Sequence, residues 1–325
     1  MKKIIALCMV VGMVSTLNAV QRTVLFEEFT ATWCYYCPGA AMGLHDMKTY
    51  HGDSVTVIAY HSSTSDPFYR AEAATRGSYY NFGGYPHVFI DGVLDVPGGN
   101  HNQSLYPYYK QRFDQRKNID QPVTFTCSGE YNPDTKQGTL NITLTNVGNS
   151  TISGYLRIAQ VILDTPYTWQ NQTHLEWVLR DMLPTATGTY YSINPGNSTN
   201  HSENFTVLSS DNEHEIAFVV FFQNDNTKEV IGARPEFELD SLTWVYVEEN
   251  VKKEDKTPSV MVKNQGKSVK FILKNTGNAD LKLFDSSGRK ILSRKVSDGE
   301  VNLKLEKGVY FYRVNDIKGK LVVSR

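Results

Sequence analysis

The sequence predicts an α/β domain followed by two all-β modules, and three observations predict it. Residues 20–120 alternate β-branched apolar runs with apolar stripes at helical spacing. After Gln121-Pro122 the texture changes to short β-rich runs separated by turn clusters, with no long helical stripe. A charged stretch poor in apolar residues, Glu248 to Pro258, then leads into a tail that is β again. A chain of 325 residues has room for two or three such domains.

Residues 1–19 read as a signal peptide. Lys2-Lys3 is a basic start, Ile4 to Val14 an apolar stretch, and Leu17-Asn18-Ala19 ends in the small residue a signal peptidase accepts. The apolar run is too short to favour a permanent span, and Cys8 sits inside it after Leu7, a poor setting for lipid attachment. No other stretch approaches spanning length, so the expectation is an exported mature chain without a membrane span. A net charge of −1 gives no sign of a nucleic-acid partner.

In residues 20–120, Val24 to Thr30 reads as a strand and Ser54 to Tyr60 as a second. Between them, Pro38 to Tyr50 reads as a helix whose first-turn proline costs no hydrogen bond. Asp66-Pro67 looks like a cap and first-turn proline. It precedes Phe68, Ala71, Thr75, Tyr79 and Phe82 at helical spacing, and Gly83-Gly84 stops that helix. His87 to Ile90 and Val93 to Val96 flank the turn pair Asp91-Gly92 and form a hairpin. Leu105, Tyr109 and Phe113 mark a last helix. The order β-α-β-α-β-β-α is that of a minimal thioredoxin core.

Residues 121–247 hold the runs Val123 to Cys127, Leu140 to Leu144, Tyr155 to Leu163 and Glu215 to Phe222. Their turn-separated pattern predicts a β-sandwich of immunoglobulin-like size. Residues 248–262 are the predicted linker. The tail, 263–325, has six short β runs between Gly-bearing turns and neither cysteine nor catalytic cluster; it predicts a small β-sandwich.

Trp33-Cys34-Tyr35-Tyr36-Cys37-Pro38 carries the chemistry. With Cys8 removed, Cys34, Cys37 and Cys127 remain, too few for a disulfide-stapled scaffold. A bridge between Cys34 and Cys37 closes a tiny loop and removes little entropy from the unfolded chain. Its value is therefore chemical: two electrons exchanged as a disulfide. The thiolate is the attacking form, and Cys34 at a helix start would meet free backbone N–H groups and the positive end of the dipole. Cys37, one turn inward, would then attack the mixed disulfide.

Glu28 lies six residues before Cys34 on the predicted central strand, where a buried carboxylate would take the proton from Cys37. The competing reading turns Glu27 and Glu28 to solvent. A central parallel strand is covered on both faces, so at least one of the two is expected to be buried. Tyr85-Pro86 is read as a cis pair presenting backbone to an extended peptide, with Trp33 as a lid. No metal is expected, because there is no second Cys-x-x-Cys and His45, His51, His61 and His87 match no common ligand spacing. His61 and His87 read as structural histidines, and Cys127 as a buried free thiol.

The segment Leu25-Phe26-Glu27-Glu28-Phe29-Thr30-Ala31-Thr32-Trp33-Cys34-Tyr35-Tyr36-Cys37-Pro38 resembles the active site of thioredoxin-like proteins. The resemblance implies that Glu28 is the buried acid, Cys34 the nucleophile, Cys37 the resolving thiol and Pro86 the cis proline. It departs from thioredoxin in having Tyr35-Tyr36 where Gly-Pro stands there, and a proline directly after Cys37. Over residues 20–247 the chain is similar to an outer-membrane-protein-related family of exported bacterial proteins. Trp177-Val178-Leu179-Arg180-Asp181-Met182-Leu183-Pro184 resembles that family's second-part signature.

The tail resembles C-terminal sorting domains of the type IX secretion route. The matching stretches are Leu281 to Arg289, Lys307 to Val314 and Lys320 to Arg325, without the usual Asn-Pro opening.

The expectation is an exported or surface-attached thiol–disulfide oxidoreductase acting on protein or peptide disulfides, with no dissociable cofactor. Cys34, Cys37 and Glu28 carry the reaction, and Trp33, Tyr85 and Pro86 hold the partner. The tail would engage the export machinery, and the location would be the outer-membrane surface or the exterior after periplasmic transit. The alternative is a surface adhesion protein that keeps the scaffold without the chemistry.

Overall fold

A computed structural model describes residues 20–245, 257–265 and 268–323. The signal-peptide reading of 1–19, the 248–256 part of the predicted linker and the last two residues of the sorting motif lie outside them. The described residues fall into two compact units, one within Met1–Val247 and the other within Glu248–Arg325.

In the larger unit the chain runs β1 (Val24–Thr30), α1 (Pro38–His51), β2 (Val55–His61), α2 (Ala71–Tyr80), β3 (His87–Ile90), β4 (Leu94–Pro97) and α3 (Tyr106–Arg116). It continues through β5 (Val123–Asn132), β6 (Gln137–Asn146), β7 (Ile152–Trp169), β8 (Gln172–Leu183), β9 (Thr189–Ile193) and β10 (Ser198–Thr206). The strands β11 (Ile216–Gln223), β12 (Val230–Ala233), β13 (Phe237–Glu238) and β14 (Thr243–Trp244) complete it.

These elements do not assemble as the predicted α/β thioredoxin-like domain followed by an independent immunoglobulin-like sandwich. The chain is predominantly strand, with three α-helices among the described residues. Strands from both halves form one ten-stranded sheet, in the order β12-β11-β7-β8-β2-β1-β3-β4 with β13 and β9 off that path. The physical reason lies at the outer edge of β2. Left open, it would present unpaired N–H and C=O groups. Instead β8 runs parallel beside it, with Ala59 opposite Val178. A second sheet, β10-β6-β5-β14, lays Leu140, Ile142 and Leu144 against Ile158, Phe218 and Val220 of the large sheet.

Buried polar groups tie the halves together. Glu27 Oε1 accepts from Arg76 (2.6 Å) and from Tyr60 Oη (2.9 Å), and Gln223 Oε1 accepts from both Arg76 and Arg157 at 3.0 Å. Arg157 also forks onto Asp225 at 2.8 and 2.9 Å. On the other face Asp91 accepts from Arg22 (2.7 Å) and Arg116 (3.0 Å). Those two arginines in turn reach the Val230 carbonyl and Glu229. Such pairs are costly to break one partner at a time.

The smaller unit comprises β15 (Ser259–Gln265), β16 (Ser268–Lys274), β17 (Ala279–Asp285), β18 (Lys290–Val296), β19 (Gly299–Lys304), β20 (Gly308–Val314) and β21 (Ile317–Val323). They form the sheets β15-β16-β19 and β18-β17-β20-β21. Their shared core includes Phe271, Leu281, Leu283, Val314 and Val323.

Candidate redox site

β1 delivers the chain to the site and α1 carries it away. Between them Cys34 and Cys37 are joined as a disulfide, Cα to Cα 5.4 Å. Cys34 retains 5% of its surface and Cys37 none. Cys34 N–H donates to Ala31 O (3.0 Å) and Cys37 N–H to Cys34 O (3.3 Å), so the pair sits in a tight turn before the helix.

Cys37, not Cys34, occupies the helix cap, and the helix starts at Pro38. The N–H groups expected to face Cys34 are spent elsewhere. Pro38 has none, Gly39 donates to Asn100 O (2.7 Å), and Ala40 and Ala41 donate to Cys37 O (3.0 and 3.1 Å). The dipole of α1 is what remains to favour a thiolate there.

Aromatic side chains ring the disulfide. Trp33 is 51% exposed and meets Tyr85 edge-on at 5.6 Å. Tyr35 and Tyr36 are exposed as well, and Tyr35 stacks flat on His101 at 4.1 Å. His101 Nδ1 also lies 2.8 Å from Tyr35 O. The Tyr85–Pro86 peptide is cis; Tyr85 Oη hydrogen-bonds Ser62 Oγ at 2.8 Å, and Pro86 is buried with its carbonyl taken by Gly98 N–H. Gly99 passes between them and the Cys turn: a Cβ there would stand 2.1 Å from Tyr36 O and 2.5 Å from Pro86 Cγ. The structure thus brings Trp33, Cys34, Cys37, Tyr85 and Pro86 into one surface region. Tyr35, Tyr36 and His101 complete it.

Glu27 and Glu28 are both buried, on opposite faces of β1. Glu27 belongs to the Arg76 network. Glu28, 3% exposed, turns to the other face, where burial pushes its carboxyl up to about 8. The Thr30 hydroxyl works against that shift without completing a hydrogen bond, and Glu28 Oε1 has no partner. Glu28 makes no hydrogen bond to either cysteine. It lines a cavity of about 450 Å³ between α1, the ends of β1 and β2, and the β7–β8 hairpin. Ala41 and Trp169 belong both to the wall of that cavity and to the apolar cluster holding Cys34 and Cys37.

Asp66, expected as a helix cap, does something else. The helix begins at Ala71, with Arg70 at its cap. Asp66 is buried and accepts from Thr32 N–H (2.6 Å), Thr32 Oγ1 (2.9 Å), Phe68 N–H (2.9 Å) and His61 Nδ1 (3.0 Å). Burial alone would raise its carboxyl, but the His61 and backbone hydrogen bonds bring it down to about 2. The Asp-Pro pattern is a sound local cap signal; here the tertiary donors two residues before Cys34 outcompete the helix. Spacing alone makes His61 a structural histidine and Asp66 a cap, and gives neither of them a place beside the Cys turn. Cys127 is half-buried, its thiol pushed up by burial. Among the described residues no cluster of His, Cys, Asp and Glu has the makings of a metal site.

Comparison with known proteins adds a fold. No protein-family model matches the chain, and no curated protein does. Among solved structures it is similar to HBP35 of Porphyromonas gingivalis, with a TM-score of 0.54 and 16% identity over 93% of this chain and 97% of that one. It also overlaps protein AGR_C_4864 from Agrobacterium tumefaciens (TM-score 0.48, 15% identity, 68% of this chain and 96% of that). A domain of the outer-membrane lipoprotein Omp28 from Porphyromonas gingivalis gives a TM-score of 0.28 at 13% identity, over 38% of this chain and 89% of that one. At such identity the likeness to HBP35 is one of fold. No helix among the described residues is long and apolar enough to cross a membrane.

Proposed function

We propose that this protein exchanges disulfides with proteins or peptides through Cys34 and Cys37. The observation that carries the reading is the Cys34–Cys37 disulfide at the start of α1, reachable only at Cys34 and ringed by exposed aromatic side chains. In the reduced form the Cys34 thiolate attacks a partner disulfide, forming a mixed disulfide and releasing one partner sulfur as thiolate. Glu28 in its ionised form, which burial confines to pH near 8 and above, takes the proton of Cys37, and the Cys37 thiolate attacks Cys34 Sγ. The Cys34–Cys37 bond forms, the mixed disulfide breaks, and the partner leaves with two more electrons. Trp33 and Tyr85 hold the partner chain, and the buried cis Pro86 sets the bend that presents Tyr85. The dithiol is itself the electron carrier.

We further propose that the chain is exported and works at the outer-membrane surface or beyond, with residues 263–325 as the address read by the export machinery. The tail stretches quoted above support this, and deletion of 263–325 is expected to leave the protein in the periplasm.

The test equilibrates the mature protein in graded glutathione buffers, traps free thiols and counts modified cysteines by mass. A reversible two-thiol transition between roughly −120 and −270 mV, lost in Cys34→Ser, is the expected result. Its absence would leave an inert pair and favour a surface adhesion protein.

A further inference from the structure

The cavity beside the Cys pair has an uneven polar lining. Its rim groups are already paired: His45 with Glu176 at 3.0 Å, His174 with Asp164 at 2.7 Å, and Ser104 donating to Asp46 at 2.6 Å. Its floor groups are not. Glu28 Oε1, Thr30 Oγ1 and His61 Nε2 are all buried and all lack a hydrogen-bond partner.

Register explains why these three meet. β1 and β2 are parallel, with Glu28 opposite Ala59 and Thr30 opposite His61, so all four side chains project from one face into one cavity. Buried polar atoms left unpaired in a native structure require an explanation. A cavity of about 450 Å³ with polar atoms in its floor is roomy enough for several waters, each of which occupies about 30 Å³ in the liquid.

The tautomer of His61 follows from its partner. Asp66 already accepts two backbone N–H groups and a hydroxyl, and it offers only acceptor oxygens. His61 Nδ1 must therefore carry the hydrogen it shares with Asp66, which leaves Nε2 as the proton-accepting atom on the cavity side. His61 is 2% exposed, and it lines the cavity. The charged and titratable groups that bond it or line the same cavity are Asp66 on the loop after β2, Glu28 on β1, His45 and Asp46 on α1, Asp164 on β7, and His174 and Glu176 on β8. No Lys or Arg lines the cavity.

We propose that His61, held by Asp66, is the second proton-carrying side chain of this site, passing the proton of Glu28 to and from solvent through water in the cavity both line. This rests on the reading that Glu28 takes the Cys37 proton. After Cys37 is deprotonated, Glu28 holds one proton. A water hydrogen-bonded to Glu28 delivers a proton to His61 Nε2 as it receives that of Glu28, and the imidazolium then releases its proton through the cavity mouth. No electrons move in this step. His61 is a positioning and relay residue; it touches neither sulfur.

The experiment uses the mature protein, reduced, mixed with a small aromatic disulfide, following formation of the Cys34–Cys37 bond by rapid quenching from pH 5 to 9. His61→Asn keeps a donor for Asp66 and removes the accepting nitrogen. Bond formation is expected to fall about tenfold or more at neutral pH, to become dependent on buffer concentration, and to be restored by added imidazole. Glu28→Gln should slow the same step without imidazole rescue.

A His61→Asn rate equal to that of the unmodified protein, or a slow rate that imidazole leaves unchanged, would overturn the relay while Glu28→Gln still showed the acid at work. Normal rates in Glu28→Gln would instead overturn the underlying role of Glu28. If His61→Asn does not fold, nitrogen NMR of the unmodified imidazole decides. In the neutral ring the hydrogen should sit on Nδ1, facing Asp66, and a hydrogen on Nε2 instead would overturn the relay.

Discussion

The side chain of Gln170, at the far end of the β7–β8 hairpin, donates to the backbone carbonyl of Thr32 at 3.2 Å, two residues before Cys34. Its neighbour Asn171 donates to the His101 carbonyl at 2.8 Å, and His101 stacks on Tyr35. The hairpin tip thus clasps both sides of the Cys turn, while Trp169 packs in the apolar cluster that holds the disulfide. Gln170 has a positive φ of 47°, so Gln170→Gly suits the backbone and removes only the clasp. Each neutral hydrogen bond contributes about 1 kcal/mol, or about a fivefold change in an opening equilibrium. Gln170→Gly and Asn171→Ala are each expected to speed reduction of the disulfide by a small thiol by about that factor. Stopped-flow reduction measures it, and unchanged rates in both variants would show that the tip does not restrict access.

Glu28 makes stability fall as pH rises. Its folded carboxyl titrates at about 8 against 4.5 ordinarily, because burial disfavours the charge. Between those values the unfolded chain has released a proton that the folded chain keeps, so stability declines from pH 4.5 and the full cost is reached above pH 8. Glu28→Gln has no charge to bury. Its melting temperature should match the unmodified protein near pH 5, gain steadily up to pH 8, and hold that gain above it. Thermal unfolding across this range is the check; a pH-independent difference would mean Glu28 is ionised throughout.

Asp66 acts in the opposite sense. Its folded carboxyl lies at about 2 against an ordinary 3.8, so its contribution is complete above the higher value and fades as pH falls towards 2. Asp66→Asn presents an NH₂ to a site made of donors and forfeits charge-assisted bonds. The expected cost near neutral pH is about 2–4 kcal/mol, read by urea denaturation. The gap from the unmodified protein should narrow below pH 4. A constant gap down to pH 2 would show that the fold does not hold the Asp66 carboxyl below its ordinary range.

What pattern made legible is what neighbours in sequence decide. Cys34, Cys37 and Pro38 announce a turn entering a helix, and Glu28 stands on a strand read correctly from its apolar flanks. The Asp91-Gly92 turn is likewise local, with both residues at positive φ, 49° and 72°. The place of Asp66 is not legible because its donors Thr32 and His61 come from the turn after β1 and the end of β2. The joining of β8 to β2 depends on Ala59 meeting Val178, a contact no periodicity encodes. Trp177 is the clearest case. Within β8 a tryptophan stands at φ 51°, a conformation costly for a bulky side chain, beside the cavity.

That joining of the two halves sets the last prediction. Residues 20–120 contain every predicted element of a self-standing α/β domain, yet in the structure they are one end of a larger sheet. Expressed alone, they would expose the edge of β2 to water. They would also strip Arg76 of Gln223, Arg22 of the Val230 carbonyl and Arg116 of Glu229. Each arginine keeps its carboxylate, Glu27 or Asp91, but loses a further acceptor at about 1–3 kcal/mol, and the three losses together are comparable to the whole stability of a small domain. A 20–120 fragment is therefore expected to show no cooperative thermal transition, whereas 20–247 should unfold as one unit. Circular dichroism melts of the two fragments decide it. A sharp transition in the shorter one would mean that β1 to α3 carry their own core and that the β8 pairing is an addition to it.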